Sequence, residues 1–317
     1  MKLMRLVTIG AAVVAAITII VAVGRHERST AARPLGLTDP RPITLSTTPA
    51  TYLGVYAAGV PESYSGVTAF TKKAGVKPGV VVYYSGWLES FRSSFAATVA
   101  KSGAVPLVQI EPTGISLAAI ASGRYDGYLS SYAEAVRDYG GPVILSFGHE
   151  MNGSWYSWGY RHASPARFVA AWRHIVSLFR LAGARNVTWL WTVNVISDTP
   201  SGKIPDPSRW WPGRSYVNWV GIDGYYYEPS WRFTSLFGTT IVAVRKVTGA
   251  PILIAETAAA PATGQPAKIA DIFAGVRAYG LLGLVWFDAN GSRDWRLNTP
   301  AAVAAFRQGA ETYKRRP

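Results

Sequence analysis

Short apolar runs recur along the chain from residue 52 onward, and several of the segments between them carry a helical pattern. Most of these runs are near-continuous in valine, isoleucine and leucine, which is typical of strands buried on both faces of a parallel sheet. The eight runs are LGVY (53–56), VVVYYSGW (80–87), VPLVQIEP (105–112), PVILSFGHE (142–150), VTWLWTVN (187–194), VNWVGIDGYY (217–226), PILIAETA (251–258) and LLGLVWFDAN (281–290).

Three of the intervening segments predict amphipathic helices. In SPARFVAAWRHIVSLFRLAG, Ser164 is a predicted N-cap, proline takes the first helical position, and Gly183 ends the helix. The segment PAKIADIFAGVRAYG repeats this pattern and ends at Gly280, and a third helix ends at Gly140. Their apolar positions fall on one face, so each helix is expected to pack against the sheet.

Eight strands alternating with helices predict an α/β fold of the (β/α)8 TIM barrel type, which commonly takes about 250 residues. We expect one barrel domain over residues 51–313, preceded by a linker over residues 25–50 that is rich in Arg, Thr, Ser and Pro. A doubly wound open sheet is the competing architecture. Its dinucleotide-binding form is disfavoured because no G-x-G-x-x-G motif follows the first strand.

The N-terminal residues 1–24 predict a signal peptide or a membrane anchor. After the charged start MKLMR, the segment from Leu6 to Gly24 carries no charge. It is long enough for a spanning helix and longer than a usual signal core. Whether this segment is cleaved as a signal peptide or kept as an anchor, the rest of the chain is exported. We therefore expect a protein that is secreted or held at the extracellular face of the cell membrane.

The composition limits which partners and cofactors we expect this protein to bind. The formal net charge is +14, but the Lys and Arg residues are scattered singly, so nucleic acid is not expected as a partner. The charge favours association with an anionic envelope, with or without a membrane anchor. There is no cysteine, and His149 is the one histidine at a predicted strand end. We therefore expect no metal and no other cofactor, and a monomeric protein.

The predicted barrel selects candidate site residues, because TIM-barrel active sites lie at the carboxyl ends of the strands. Those ends are acidic and aromatic. Glu150 ends the fourth run and Glu256 ends the seventh. The fourth and seventh strands lie nearly opposite one another across an eight-stranded barrel, so the two side chains can converge over its mouth.

Two converging carboxylates indicate glycoside hydrolysis. One moves a proton at the glycosidic oxygen, and the other acts as nucleophile in a retaining enzyme or activates water in an inverting one. The residues alone do not decide between a retaining and an inverting mechanism. Aromatic rings in SWYSW, directly after Glu150, can cover the apolar face of a sugar. The predicted partner is therefore a polysaccharide substrate.

Four segments together resemble glycoside hydrolase family 26: GHEMNGSWYSWG, WVGIDGYYY, ILIAETA and VWFDANGSRDWRLN. The resemblance extends over roughly residues 52–310. That family holds endo-β-1,4-mannanases and some β-1,3-1,4-glucanases, with (β/α)8 barrels and a retaining mechanism. The resemblance implies a retaining hydrolase of β-linked polysaccharide, first of all an endo-β-1,4-mannanase, with an endo-β-1,3-1,4-glucanase as the alternative.

The resemblance also assigns roles, position by position. It implies that Glu150 is the general acid/base and Glu256 the nucleophile. It implies that His149 helps to set the protonation of the acid and that Trp155 is a platform for sugar stacking. Tyr225, in the GIDGY segment, would donate a hydrogen bond to the nucleophile.

Two further positions concern substrate binding. The resemblance implies that Trp286 floors the subsite where the bond breaks. Glu111 is expected to bind a sugar hydroxyl, and it stands in the third run, where many of the mannanases have a histidine. This departure resembles the glucanase branch more closely. Two other classes stay open: a non-catalytic carbohydrate-binding protein on the same barrel, and an envelope enzyme that processes the cell's own polysaccharide.

Overall fold

The computed structural model describes residues 43–199 and 202–314. Eight parallel strands close into a barrel in which each strand lies beside its neighbours in the sequence, and the last pairs with the first. The strands are β1 (Tyr52–Ala57), β2 (Val80–Gly86), β3 (Val105–Glu111), β4 (Val143–Phe147), β5 (Val187–Asn194), β6 (Trp219–Tyr226), β7 (Ile252–Ala259) and β8 (Gly283–Asp288).

Helices surround the barrel and join most of the strands. They are α1 (Ser65–Ala74), α2 (Ser93–Lys101), α3 (Leu117–Ala121), α4 (Asp126–Tyr139), α5 (Pro165–Leu181), α6 (Phe233–Val247), α7 (Gln265–Ala278) and α8 (Pro300–Lys314). Between β5 and β6, the described residues form an antiparallel pair, Asp198–Thr199 with Gly202–Lys203, and a 3₁₀ helix, Pro207–Trp210, in place of an α-helix.

The predicted (β/α)8 barrel is confirmed, and the open sheet is excluded by the closed ring of strands. Each of the eight apolar runs overlaps one barrel strand. The Ser164 side chain caps α5 by accepting from the Arg167 backbone N–H. Gly140 ends α4 with a φ of 73°, a left-handed conformation that glycine adopts at low cost.

Alternating side chains divide the core into two layers. One set points into the barrel and fills its lower part with Tyr52, Val80, Val82, Leu107, Ile144, Leu190, Trp219, Leu253, Ala255, Leu282 and Val285. The other set points outward and packs against the helices in a larger layer. These inward side chains fill the interior near the amino ends of the strands. The open end of the barrel is therefore at the carboxyl ends of the strands.

The predicted export segment, residues 1–24, and residues 25–42 of the predicted linker lie outside the described residues. Within the described ranges, no helix is both long enough and apolar enough to cross a membrane.

Candidate active site

A bulge in β7 turns Glu256 into the barrel mouth. Ile222 of β6 pairs with Ile254 of β7, but the next residue, Asp223, pairs with Glu256, so one residue is inserted in β7. Ile254 faces the helices, and simple alternation would send Glu256 to the same side. The inserted residue restores an inward direction, because a bulge shifts the alternation by one.

Two tyrosine hydroxyls hold the Glu256 carboxylate. The Tyr225 hydroxyl on β6 donates to Oε2 at 2.6 Å, and the Tyr84 hydroxyl on β2 donates to Oε1. Burial raises the pKa of Glu256, while these two hydroxyls oppose the rise because they bind the charged form. The carboxylate is therefore fixed at both oxygens from two sides of the barrel.

Glu150 lies just beyond β4, in irregular backbone. It has a φ of 54°, and Gly148 before it has a φ of 55°. The left-handed region costs a non-glycine residue about 1–3 kcal/mol, and the surrounding structure must maintain it. Here the Glu150 backbone N–H donates to the Thr192 carbonyl on β5 at 2.9 Å. This bond ties the turn to the neighbouring strand and carries the Glu150 side chain over the mouth.

Two N–H groups hold the Glu150 carboxyl. The Asn194 amide at the end of β5 donates to Oε1 at 2.5 Å, and the Trp155 indole donates to Oε2 at 2.7 Å. Asn194 is itself fixed, because its backbone N–H donates to the Asn152 side chain at 2.8 Å. Both oxygens of Glu150 thus accept hydrogen bonds, as both oxygens of Glu256 do.

Burial, followed by the charge of Glu256, raises the pKa of Glu150 to about 8, while the Asn194 and Trp155 hydrogen bonds oppose the rise. Two buried carboxyls close to one another do not ionise together readily, since each charge disfavours the other. At neutral pH the pair therefore keeps one proton, and the raised pKa of Glu150 assigns that proton to it.

Burial disfavours the ionised form of two further carboxyls near the pair. Asp223, fully buried on β6, has no side-chain hydrogen bond within ordinary geometry, and burial raises its pKa well above the usual range. Burial and the charges of Glu256 and Glu89 raise the pKa of Glu111 to about 7. No Lys or Arg of the described residues is among the groups that shift the pKa of Glu111, Glu150, Asp223 or Glu256.

The imidazole of His149 is neutral. Burial lowers its pKa to about 3. Its Nε2 lies 3.0 Å from the Tyr156 hydroxyl and 3.9 Å from Oε1 of Glu111, and its ring lies beside Tyr84. The structure therefore places His149 and Glu111 on the same side of the mouth, where a neutral ring and a carboxyl with a raised pKa face each other.

Aromatic rings line the mouth beside Glu150. The ring of Trp155 is 47% exposed, although the carboxyl that it bonds is buried. It lies on Gly153, where an added Cβ would come within 2.3 Å of the indole, so any larger residue at this position would push the ring out of its present place. Behind it, Tyr156 stacks on Trp158 with ring centroids 4.3 Å apart. A flat, exposed ring next to a buried acid is suited to covering a sugar.

Trp286 lies elsewhere than the resemblance implies. Its side chain is 1% exposed and packs against Phe306 of α8, with ring centroids 5.7 Å apart. The reason is strand alternation: Val285 points into the barrel, so Trp286 points outward and Phe287 points inward again. Phe287 stacks on Tyr56 at 4.5 Å and is the strand β8 ring at the mouth.

Several residues of the site have roles that the sequence did not assign, among them Asn194, which holds Glu150. Tyr84 holds Glu256, Tyr156 contacts His149, and Phe287 takes the position expected of Trp286. Tyr84 could have been found from alternation, because Val80, Val82 and Tyr84 share one face of a strand whose lower residues are internal. In the part of the chain that the structure describes, no group of three or more His, Asp and Glu side chains could hold a metal ion.

The fold and the site together define a (β/α)8 barrel with a buried two-glutamate centre at the ends of strands 4 and 7. The sequence model of glycosyl hydrolase family 26 matches residues 117–305, and the chain belongs to this family. The resemblance seen in the sequence is therefore confirmed.

Two relatives and one solved structure show how far the similarity extends. Endoglucanase H from Acetivibrio thermocellus is 32% identical over 267 residues, covering 79% of this chain and 29% of the relative. A mannan endo-1,4-beta-mannosidase from Bifidobacterium adolescentis is 26% identical over 148 residues, covering 43% of this chain and 14% of the relative. The chain therefore spans less than a third of either relative.

The structure of a modular endo-beta-1,4-mannanase from Cellulomonas fimi superposes with a TM-score of 0.64. It shares 18% sequence identity with this chain, and the alignment covers 82% of this chain and 70% of the mannanase. At this identity the superposition supports the barrel fold.

Proposed function

We propose that this protein is a retaining glycoside hydrolase that cleaves a β-linked polysaccharide, with Glu150 as general acid/base and Glu256 as nucleophile. The observation that carries the proposal is the pair of buried glutamates at one barrel mouth, each held at both oxygens by different donors. Membership of glycosyl hydrolase family 26 supports the reaction class.

The first step uses the two carboxyls in opposite protonation states. Glu150, whose pKa is raised to about 8, is protonated at neutral pH and donates to the leaving oxygen. The hydroxyls of Tyr84 and Tyr225 favour the ionised form of Glu256, and this form attacks the anomeric carbon. The glycosidic bond breaks, an ester to Glu256 forms, and the leaving sugar departs with the proton.

The second step reverses the role of Glu150. Forming the ester removes the negative charge of Glu256, and this charge is one of the causes that raise the pKa of Glu150. The pKa of Glu150 then falls, and the ionised carboxyl can take a proton from water. That water attacks the anomeric carbon and releases the sugar with its original configuration, while Glu256 returns as a carboxylate.

We propose β-1,4-mannan as the first substrate to test, and β-1,3-1,4-glucan as the second candidate. The similarity to a protein named mannan endo-1,4-beta-mannosidase supports the first. Two observations favour the second: Glu111 stands on β3 facing His149, and the relative that matches over 79% of this chain is named Endoglucanase H. A carboxylate and a histidine differ in the sugar hydroxyls that they bind well.

The test is the release of reducing sugar from β-mannan, galactomannan, mixed-linkage β-glucan and xylan, with the Glu256→Ala variant as the control. We expect release from one class of polysaccharide by the natural chain and none by the variant. Proton NMR of the first product should show the retained anomer. Oligosaccharide binding with no hydrolysis of any polysaccharide would overturn the proposal in favour of a binding protein, and the inverted anomer would overturn the mechanism.

A further inference from the structure

The hydrogen bonds of Glu150 fit its ionised form better than its acid form. Both of its oxygens accept N–H groups, from Asn194 and from Trp155. A protonated carboxyl has one O–H donor and less acceptor capacity than a carboxylate, so two N–H partners favour the ionised form and at least one of these contacts is weakened when the proton is present. This conflict concerns the residue proposed as the acid, and it rests on that proposed function.

The two partners differ in how they can respond. An amide carries both a donor and an acceptor, so Asn194 can present its oxygen to a protonated carboxyl by rotating its terminal amide. An indole is a donor only. A proton on Oε2 of Glu150 could therefore not be accepted by Trp155, whose N–H favours the ionised carboxyl in any rotation of the ring.

Trp155 is the more exposed of the two partners of Glu150 and covers the carboxyl from the open side of the site. Trp155 is 47% exposed and covers a carboxyl that is 7% exposed, whereas Asn194 reaches Oε1 from the end of a barrel strand. A leaving sugar that enters from the mouth therefore approaches Oε2 through the position of the indole. Trp155 itself lies in an irregular segment after β4, outside any helix or strand.

We propose that Trp155 is a displaceable cap on the acid: its indole N–H binds Oε2 of Glu150 in the free enzyme, and the incoming sugar moves the ring aside to free that oxygen for proton donation. The ring changes its partner from the carboxyl to the sugar. Trp155 is then a positioning residue that acts through Glu150 in the free enzyme, in addition to any stacking on the substrate.

The other groups around Glu150 fix the direction of the expected pH effect. Glu256 on β7 and Glu111 on β3 are carboxyls that disfavour its ionisation, and the buried Asp223 on β6 has a pKa that Glu256 and Glu150 raise in turn. Tyr225 and Tyr156 face it as neutral phenols, and the adjacent His149 is neutral. Against this set, the indole N–H favours the ionised form and lowers the pKa of Glu150.

The test is the pH dependence of two kinetic constants in the Trp155→Phe variant, which keeps an aromatic ring and loses the N–H. The basic limb of kcat/KM reports the acid of the free enzyme, and that of kcat reports the acid of the complex. Removing the N–H should move the basic limb of kcat/KM up by about one pH unit, as expected for one hydrogen bond to a charged group. The basic limb of kcat should coincide with that of the natural chain.

A matched control is Trp231→Phe. Trp231 is a half-buried tryptophan that contacts Tyr227, and its indole makes no contact with Glu150. This variant should leave both limbs in place. Equal movement of both limbs in Trp155→Phe would show that the indole stays on the carboxyl in the complex and would overturn the displacement. No movement of either limb would overturn the cap itself.

A second measurement separates this inference from the proposed hydrolysis. In a ¹⁵N-labelled chain, the indole N–H resonance of Trp155, assigned by its loss in Trp155→Phe, should titrate with Glu150 in the free protein. Saturating the Glu256→Ala variant with mannotetraose or a mixed-linkage β-glucan tetrasaccharide should remove that titration. A flat resonance in the free protein overturns the cap even if hydrolysis is found. Titration in the free protein without any oligosaccharide response supports the contact and counts against the displacement.

Discussion

The two sides of the barrel mouth hold their glutamates in different ways. Glu256 lies within a continuous strand, and two tyrosine hydroxyls from separate strands bind its two oxygens. Glu150 lies beyond the end of a strand at a positive φ, and one of its two partners is the half-exposed ring of Trp155. One carboxyl is fixed by the sheet, and the other is held partly by a side chain on an irregular segment.

This difference matches what each carboxyl has to do. A nucleophile must stay ionised and keep its position within a fraction of an ångström of the carbon that it attacks, which a strand with two donors provides. An acid/base changes its protonation state twice in each cycle, so a permanently saturated set of N–H donors would work against it. The comparison therefore predicts that the two glutamates respond differently to the same substitution.

The largest expected effect is loss of turnover on substitution of either glutamate. The two losses should differ in how much they depend on the leaving group of the substrate. Glu256→Ala should lose on the order of 10⁴-fold or more in turnover of polysaccharide and of a dinitrophenyl glycoside alike, because no ester can form. Glu150→Ala should lose about 10²- to 10⁴-fold on polysaccharide. The same variant should still release a burst of dinitrophenolate, since that leaving group departs without a proton. Stopped-flow absorbance measures the burst.

The control for both glutamates is Glu228→Gln, a change at an exposed carboxyl in the loop after β6. It should leave turnover of both substrates unchanged. A burst from Glu256→Ala, or full polysaccharide turnover by Glu150→Ala, would contradict the assignment of roles.

An intermediate effect is expected from the tyrosines. Tyr225→Phe and Tyr84→Phe should each lower kcat by about 10- to 100-fold, since a hydrogen bond to a charged group contributes about 1.5–3 kcal/mol. Both hydroxyls favour the ionised form of Glu256, so either change should raise its pKa. The acid limb of kcat/KM should then move to higher pH, because the nucleophile must be ionised to attack.

Tyr227→Phe is the matched control for the tyrosine pair, because its hydroxyl contacts Ser292 at 3.2 Å and not Glu256. It should leave the acid limb in place. A strong effect from Tyr225→Phe with none from Tyr84→Phe would show that one donor suffices and that the nucleophile is held from one side only.

The fold could be predicted from the sequence more fully than the site could. Apolar runs, helix caps and glycine stops are local signals, and the barrel follows from their alternation. The inward direction of Glu256 is not local: alternation from Ile252 and Ile254 sends it toward the helices, and the bulge that reverses it depends on pairing with β6 and β8. Tyr84 likewise meets Glu256 only through closure of the barrel.

The smallest expected effect on turnover is that of a change at Trp286. Strand alternation points this side chain away from the barrel mouth, whereas the family resemblance implies that it floors the substrate site. Trp286→Leu should leave kcat/KM within about threefold of the natural chain, because the ring packs on Phe306 behind the strand. It should lower the free energy of unfolding by about 2–4 kcal/mol, measured by urea denaturation, as expected for a large ring removed from a filled core. Phe287→Leu should show the reverse pattern, with a raised KM and a smaller loss of stability. Loss of activity in Trp286→Leu at unchanged stability would show that Trp286 does contribute to the substrate site.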